Sequence, residues 1–190
     1  MKPYITDKNF TQKDFNTTSF SRADYESCTF TECNFAGFDL SEYGFEDCIF
    51  IRCDLSNTTL INTSFKNIEF KSCKLIGNHF DDCNPFLLEF RFESCILDYS
   101  SYFKLRIPKT RFIDSSIVET DFSETDLSEA IINNCNLKGA MFGNTNLFNA
   151  DLRNNINLEI DPESNQISGA SFSTGNLPGL LGKYNLKIEP

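Results

Sequence analysis

Carboxylates recur at regular spacing between Arg111 and Lys138, a stretch that contains no basic residue. We call the following six residues the acidic girdle: Asp114, Glu119, Asp121, Glu124, Asp126 and Glu129. With no lysine or arginine in the same stretch, these carboxylates are expected to stay uncompensated and to project a negative field. Such a field suits competition for a positively charged groove that otherwise binds nucleic-acid phosphates. It equally suits a surface that only keeps the protein in solution, and both interpretations stay open.

The eight cysteines and the single histidine are the residues that could hold a metal. No two cysteines are separated by two residues, and His79 is alone, so the spacing does not favour zinc. Cys33, Cys53 and Cys73 lie 20 residues apart and would stack close enough for a disulfide. We nevertheless expect eight buried, reduced thiols, because free cysteine is a good small hydrophobe. No cofactor is expected.

Nothing in the chain resembles a nucleophile with a base and an orienting acid, a phosphate-binding loop or a dinucleotide fingerprint. The sequence therefore predicts a binding protein rather than an enzyme. No apolar run is long enough to span a bilayer, and the first ten residues lack the apolar core of a signal peptide. We expect a cytoplasmic location, no membrane contact and, at a net charge of −10, no direct binding of nucleic acid.

The elements that must position these residues follow a five-residue period. Every fifth residue is large and apolar from Phe10 to Phe80 and, after a shift of two, from Leu87 to Leu152, while the residue two places earlier is usually small. On an α-helix five residues rotate about 500°, so no apolar stripe could form. In a straight strand successive large residues would face opposite sides. The chain must therefore turn a corner in each repeat and wind into stacked coils around a central column.

Segments such as TDLSE (125–129), CNLKG (135–139) and ADLRN (150–154) carry a resemblance to the pentapeptide-repeat proteins. The resemblance implies an all-β fold, a right-handed quadrilateral parallel β-helix with four repeats per coil and about seven coils. We expect an N-terminal cap over residues 1–9, the β-helix over 10–155, and an irregular last coil with a C-terminal tail over 156–190.

The shift of frame falls in residues 81–89, which we call the insertion loop. It is either a projecting contact loop or a tolerated insertion, and its candidate contact residues are Asp81, Asp82, Pro85, Phe86 and Glu89. A basic cluster follows and could contact an acidic partner or remain solvated: Lys104, Arg106, Lys109 and Arg111.

The segments IDPESNQI (160–167) and GLLGKYNLKI (179–188) resemble the C-terminal ends of microcin-immunity and quinolone-resistance members of that family. The resemblance implies a homodimer joined through the tail. The implied interface residues are Leu177, Pro178, Leu180, Leu181, Tyr184, Leu186 and Ile188.

Two hypotheses result. In the first, which the resemblance to the microcin-immunity and quinolone-resistance members implies, the protein mimics DNA, binds a type II topoisomerase (DNA gyrase or topoisomerase IV) and modulates it or protects it from a toxin or a quinolone. In the second, it is a rigid scaffold or adaptor for another protein partner, which it contacts through the insertion loop and the basic cluster.

Overall fold

Successive repeats form the four sides of a parallel β-helix in a computed structural model that describes residues 2–187. Tyr25 pairs with Phe45, and Phe45 with Phe65, so each residue lies above the one 20 positions earlier. A step of 20 residues is four repeats of five, one for each side of the coil. The predicted all-β, right-handed quadrilateral parallel β-helix is confirmed.

Two of the four sides are continuous parallel sheets. Sheet 1 consists of β1 (Tyr4–Thr6), β3 (Asp24–Glu26), β5 (Gly44–Glu46) and β7 (Ser64–Lys66). Sheet 2 consists of β2 (Asn9–Thr11), β4 (Thr29–Thr31), β6 (Ile49–Ile51), β8 (Ile68–Lys71), β9 (Phe90–Glu93), β10 (Arg111–Ile113) and β11 (Ile131–Asn133). The other sides are joined by single bridges such as that from Ser101 to Asp121.

The N-terminal residues already belong to this ladder. Ile5 of β1 pairs with Tyr25 of β3, one full coil later. The repeat therefore begins before Phe10, and the expected cap over residues 1–9 is wrong, because that segment contains the first strand and the start of the second.

The large residues stack in columns inside the tower, as the period predicts. In sheet 2 the ring of Phe50 lies 4.7 Å from that of Phe30 and 5.0 Å from that of Phe70, and all three side chains are fully buried. Stacked aromatic pairs add to the energy of burial. The column continues from Phe70 to Phe92 at 5.3 Å and from Phe92 to Phe112 at 5.0 Å, so it links successive coils through the tower.

The small residue two places before each large one also points inward and has a hydrogen-bonding role. Thr63 Oγ1 donates to the Leu40 carbonyl at 2.7 Å, one coil below, and Thr125 Oγ1 donates to the Tyr102 carbonyl at 2.7 Å. The cysteines fill the same position. All eight are buried and free, as predicted. Burial raises the pKa of the Cys95 thiol to about 11.

The corner of each repeat is a residue in the left-handed conformation. Glu119, Glu124 and Glu129 have φ of 55°, 57° and 58° at successive corners. Glycine and asparagine tolerate this region best, and Gly77 and Asn57 occupy the same position elsewhere. The period predicts a corner in each repeat, and the recurrent asparagine and glycine two places after the large residue are the signal for its conformation.

The insertion loop adds two residues to one coil. Ser64 still pairs with Asn84, 20 residues on, but Ile68 pairs with Phe90, 22 residues on. The two additional residues therefore enter between Asn84 and Phe90. Phe90 is fully buried at a position that is small in most other repeats.

The prediction that the frame resumes at Leu87 is wrong. Leu87 is 63% exposed and takes the corner conformation, with φ of 57°. Its neighbour Leu88 is buried and fills the core in its place. The bulged backbone, rather than the count of five, decides which leucine turns inward.

A short irregular segment lies across the C-terminal end of the tower. It consists of a 3₁₀ turn (Thr174–Asn176), the helix α1 (Leu177–Leu180) and a second 3₁₀ turn (Gly182–Tyr184). The Ile160 N–H donates to the Gly179 carbonyl at 3.2 Å. None of the helices in residues 2–187 has the length and apolar character needed to cross a membrane.

Candidate protein-binding surfaces

The acidic girdle surrounds one coil. Asp114, Glu119, Glu124 and Glu129 occupy its four corners, all with positive φ, so their side chains leave the tower in four directions. Asp121 and Asp126 lie on the sides between corners, where Asp121 pairs with Ser101 and Asp126 with Arg106 in single bridges.

Half of the girdle is neutralised by the coil below it. Three ion pairs connect the two coils: Lys104 Nζ to Glu124 at 3.5 Å, Arg106 Nε to Asp126 at 3.7 Å, and Lys109 Nζ to Glu129 at 3.7 Å. In each pair the two residues are 20 positions apart. The expectation that these carboxylates stay uncompensated is therefore wrong for Glu124, Asp126 and Glu129, because most of the basic cluster stacks directly beneath them.

The other half of the girdle consists of Asp114, Glu119 and Asp121. Asp114 accepts a hydrogen bond from Asn134 Nδ2 at 2.5 Å, and Asp121 accepts one from the Ser123 N–H at 2.8 Å. Glu119 lies beside Gly139, where an added Cβ would come within 2.7 Å of its Oε1. Within residues 2–187, none of Asp114, Glu119 and Asp121 has an ion-pair partner. The negative field of this coil therefore comes mainly from these three residues.

The insertion loop presents two adjacent apolar side chains to solvent. Phe86 is 66% exposed and Leu87 is 63% exposed. Lys66 Nζ lies 5.9 Å from the centre of the Phe86 ring. Beside this pair a groove of about 430 Å³ runs to Pro108 and Lys109 of the next coil.

The other candidate contact residues of the loop are divided between two places. Pro85 is exposed beside the apolar pair, and Glu89 forms an ion pair with Arg91 at 3.3 Å. Asp81 and Asp82 lie earlier, in the 3₁₀ turn Phe80–Asp82, on the preceding side of the coil. The structure therefore does not join all five residues into one contact surface.

The tail presents a second apolar surface. Leu177, Leu181, Tyr184 and Leu186 are between 38% and 56% exposed, and Pro178 is exposed as well. Leu180 instead packs against the core of its own chain. Ile188 lies outside the described residues.

Polar contacts fix this tail to the last coil. Lys183 Nζ lies 2.8 Å from an Asp161 carboxylate oxygen and 2.6 Å from one of Glu163, and the Tyr184 hydroxyl donates to Glu163 at 2.8 Å. The hydrogen bonds from Lys183 lower the pKa of both carboxyls. Lys183 and the Tyr184 hydroxyl thus anchor the tail to the last coil, while Leu177, Leu181 and Leu186 stay exposed.

The coils, built from five-residue repeats with inward large and small residues, define a β-helical repeat protein. The model "Pentapeptide repeat region" matches residues 23–91, and "Pentapeptide repeats (8 copies)" matches residues 115–154, together more than half of the chain. The chain belongs to the pentapeptide-repeat family, whose members are generally structural or binding proteins.

Among solved structures, the fold is similar to two trypsin-treated variants of QnrB1, described as a plasmid-mediated fluoroquinolone resistance protein. One matches at a TM-score of 0.65 and 18% identity over 98% of this chain and 100% of that chain. The other matches at 0.65 and 18% over 97% and 99%. At this identity the likeness shows the fold alone. A comparison with curated protein sequences gave no match.

In residues 2–187 no three histidine, cysteine, aspartate or glutamate side chains are grouped so that they could hold a metal ion. His79 is exposed, with Nδ1 3.7 Å from Asp81 Oδ1. The acidic girdle, the insertion loop and the tail are the candidate binding surfaces.

Proposed function

We propose that this protein is a non-enzymatic DNA mimic that binds a type II topoisomerase, DNA gyrase or topoisomerase IV, and protects it from a quinolone or a peptide toxin. The observation that supports the proposal is the match in fold over the whole of the trypsin-treated QnrB1 chain, a protein described as a plasmid-mediated fluoroquinolone resistance protein.

The charge of the rod supports this function. The net charge of −10 repels DNA and attracts a groove that binds DNA phosphates. On the girdle, Asp114, Glu119 and Asp121 are the carboxylates with no cation beside them in the described chain. We therefore place the electrostatic contact on these three rather than on the ion-paired half of the girdle.

The tail supports a dimer with a longer rod. Leu177, Leu181, Tyr184 and Leu186 present exposed apolar area at one end of the tower. A two-fold axis through that end would bury the same patch of both copies. The resulting rod would carry the acidic surface of each copy on either side of the junction.

The test is gyrase-catalysed supercoiling of relaxed plasmid with increasing protein, with and without a quinolone, at two salt concentrations. We expect rescue from the drug, or inhibition without it that weakens at higher salt because the contact is between charges. The absence of both effects at both salt concentrations would overturn the proposal.

Matched variants locate the contact. Glu119→Gln and Asp121→Asn remove charges that have no ion pair, so together they should weaken the effect on gyrase. Glu124→Gln with Glu129→Gln also removes two charges, at equivalent corners that Lys104 and Lys109 already compensate. Equal losses from the two sets of variants would show that the uncompensated carboxylates are not the contact.

The second candidate function is a rigid adaptor, and the exposed apolar pair on the insertion loop favours it. Phe86 and Leu87 are both more than 60% exposed. Large apolar side chains of this kind act as anchors in protein interfaces. Phe86→Ser with Leu87→Ser should abolish binding of an adaptor partner in a pull-down and leave the gyrase assay unchanged. Unchanged capture of every partner would exclude the loop as the anchor.

A further inference from the structure

A glycine opens a hollow in the outer face of sheet 1. Along one column of this face, Asp24, Gly44 and Ser64 lie one above another. A Cβ on Gly44 would overlap Asp24 Oδ1, so the carboxylate occupies the space that a side chain would need. The hollow encloses about 280 Å³.

The rim of the hollow is acidic. Glu26 and Glu46 lie side by side on the neighbouring column, and Tyr4 forms part of the wall. Glu46 forms an ion pair with Lys66 at 3.2 Å. Glu26 has no ion-pair partner within residues 2–187. The hollow is therefore lined by three carboxylates, Asp24, Glu26 and Glu46, and by one lysine, Lys66.

A cationic group from the same chain lies at the edge of the hollow, beside Asp24. Lys2 Nζ lies 2.5 Å from Asp24 Oδ1 and 3.5 Å from the place where a Gly44 Cβ would lie. Lys2 comes from the segment before β1, and its side chain reaches across one full coil to Asp24. The Asp24 carboxylate of the hollow is therefore already paired with a primary amine.

We infer that this hollow receives a lysine or arginine side chain of the partner, and that Lys2 pairs with its Asp24 carboxylate until the partner binds. The inference rests on the proposed function, because a groove that binds DNA phosphates presents such side chains. Arginine has the advantage over Lys2, since its planar guanidinium forms two parallel hydrogen bonds to one carboxylate. Lys2 thus acts as a built-in competitor for the partner's cation.

The experiment measures binding of a hexa-arginine peptide to the full chain by calorimetry at low salt. Lys2→Ala should tighten binding about two- to fivefold, the range expected when one exposed ion pair no longer competes. Lys8→Ala is the control for charge, because it removes the same charge from an exposed lysine with no ion pair in the described part of the chain. It should change affinity less.

Gly44→Ala tests the hollow itself and should weaken peptide binding. Gly143→Ala is its control, because an added Cβ there meets only ordinary contacts with Ser123. In the Gly44→Ala background the gain from Lys2→Ala should disappear, since the two changes act on one site. Asp24→Asn, which keeps the size of the side chain, should weaken binding in the same way as Gly44→Ala.

Two results would overturn the inference: a gain from Lys8→Ala equal to that from Lys2→Ala, or a gain from Lys2→Ala that persists with Gly44→Ala. Failure of the proposed function is a separate result. If gyrase does not respond but the affinities of the variants for the peptide change as expected, the hollow binds a cationic side chain of a different basic partner.

Discussion

Replacing Gly179 with alanine tests how closely the C-terminal segment packs on the last coil. Gly179 lies in α1, where its Cβ would overlap the Leu158 carbonyl and lie 3.6 Å from Glu159 Cα. Both neighbours are backbone atoms, so no side chain can move aside. The helical segment itself would have to shift away from the tower.

Two opposing effects decide whether Gly179→Ala raises or lowers the free energy of unfolding. Alanine in a helix is favoured over glycine by about 0.5–1 kcal/mol, so propensity alone predicts a more stable protein. Overpacking against well-ordered structure costs about 1–3 kcal/mol. Weakening the hydrogen bond from Ile160 to Gly179 costs a further amount of about 0.5–1.5 kcal/mol. We expect Gly179→Ala to lower the free energy of unfolding by about 1–3 kcal/mol.

The assay is urea unfolding followed by circular dichroism, with Gly182→Ala and Gly175→Ala as controls. An added Cβ at either control position has no atom within 4 Å, so both should remain within about 0.5 kcal/mol of the unsubstituted protein. Light scattering on the same samples reports whether the shifted segment still supports the proposed dimer. If Gly179→Ala is as stable as Gly182→Ala, the close packing of α1 on Leu158 is refuted.

Three further predictions follow from the interior and the tail. Because all eight cysteines are buried, a thiol reagent at pH 8 should label none in the folded protein and eight after denaturation; early labelling of any thiol would contradict the packing. The Tyr102 hydroxyl is buried with no hydrogen-bond partner in residues 2–187, so Tyr102→Phe should raise the free energy of unfolding by about 1–3 kcal/mol, whereas a loss in urea unfolding would show that the hydroxyl is bonded. Lys183 lowers the pKa of Asp161 and Glu163, so their contribution to stability is present above the unfolded pKa of about 4 and is lost as the pH falls through the folded pKa. The NMR resonances of the Tyr184 ring should report release of the tail in that acid range, and the step should be absent in Lys183→Met.

The central column of the tower was predictable because it repeats a local rule. A large residue every fifth position requires a corner in each repeat, and stacked coils are the arrangement that buries all of them. Phe30, Phe50 and Phe70 lie in one column for this reason. The thiols were predictable from the same rule, since the position two places earlier has room for a small side chain only.

The charges were harder to predict because their partners are remote in sequence. Between Arg111 and Lys138 the sequence has no basic residue, and that stretch alone predicts a bare negative surface. The fold brings Lys104 under Glu124 and Lys109 under Glu129, because residues 20 positions apart stack in adjacent coils. A comparison of residues 20 positions apart would have found these pairs once four repeats per coil were assumed.

By itself, then, the sequence determined the repeat, the direction of each large residue and the interior position of the cysteines, because these depend on neighbours within five residues. Tertiary structure alone decided that Leu88 rather than Leu87 enters the core, because a bulged backbone abandons the five-residue count. It also decided which carboxylates form ion pairs and which carboxylate Lys2 contacts. These contacts depend on side chains that meet only when one coil is stacked on the next.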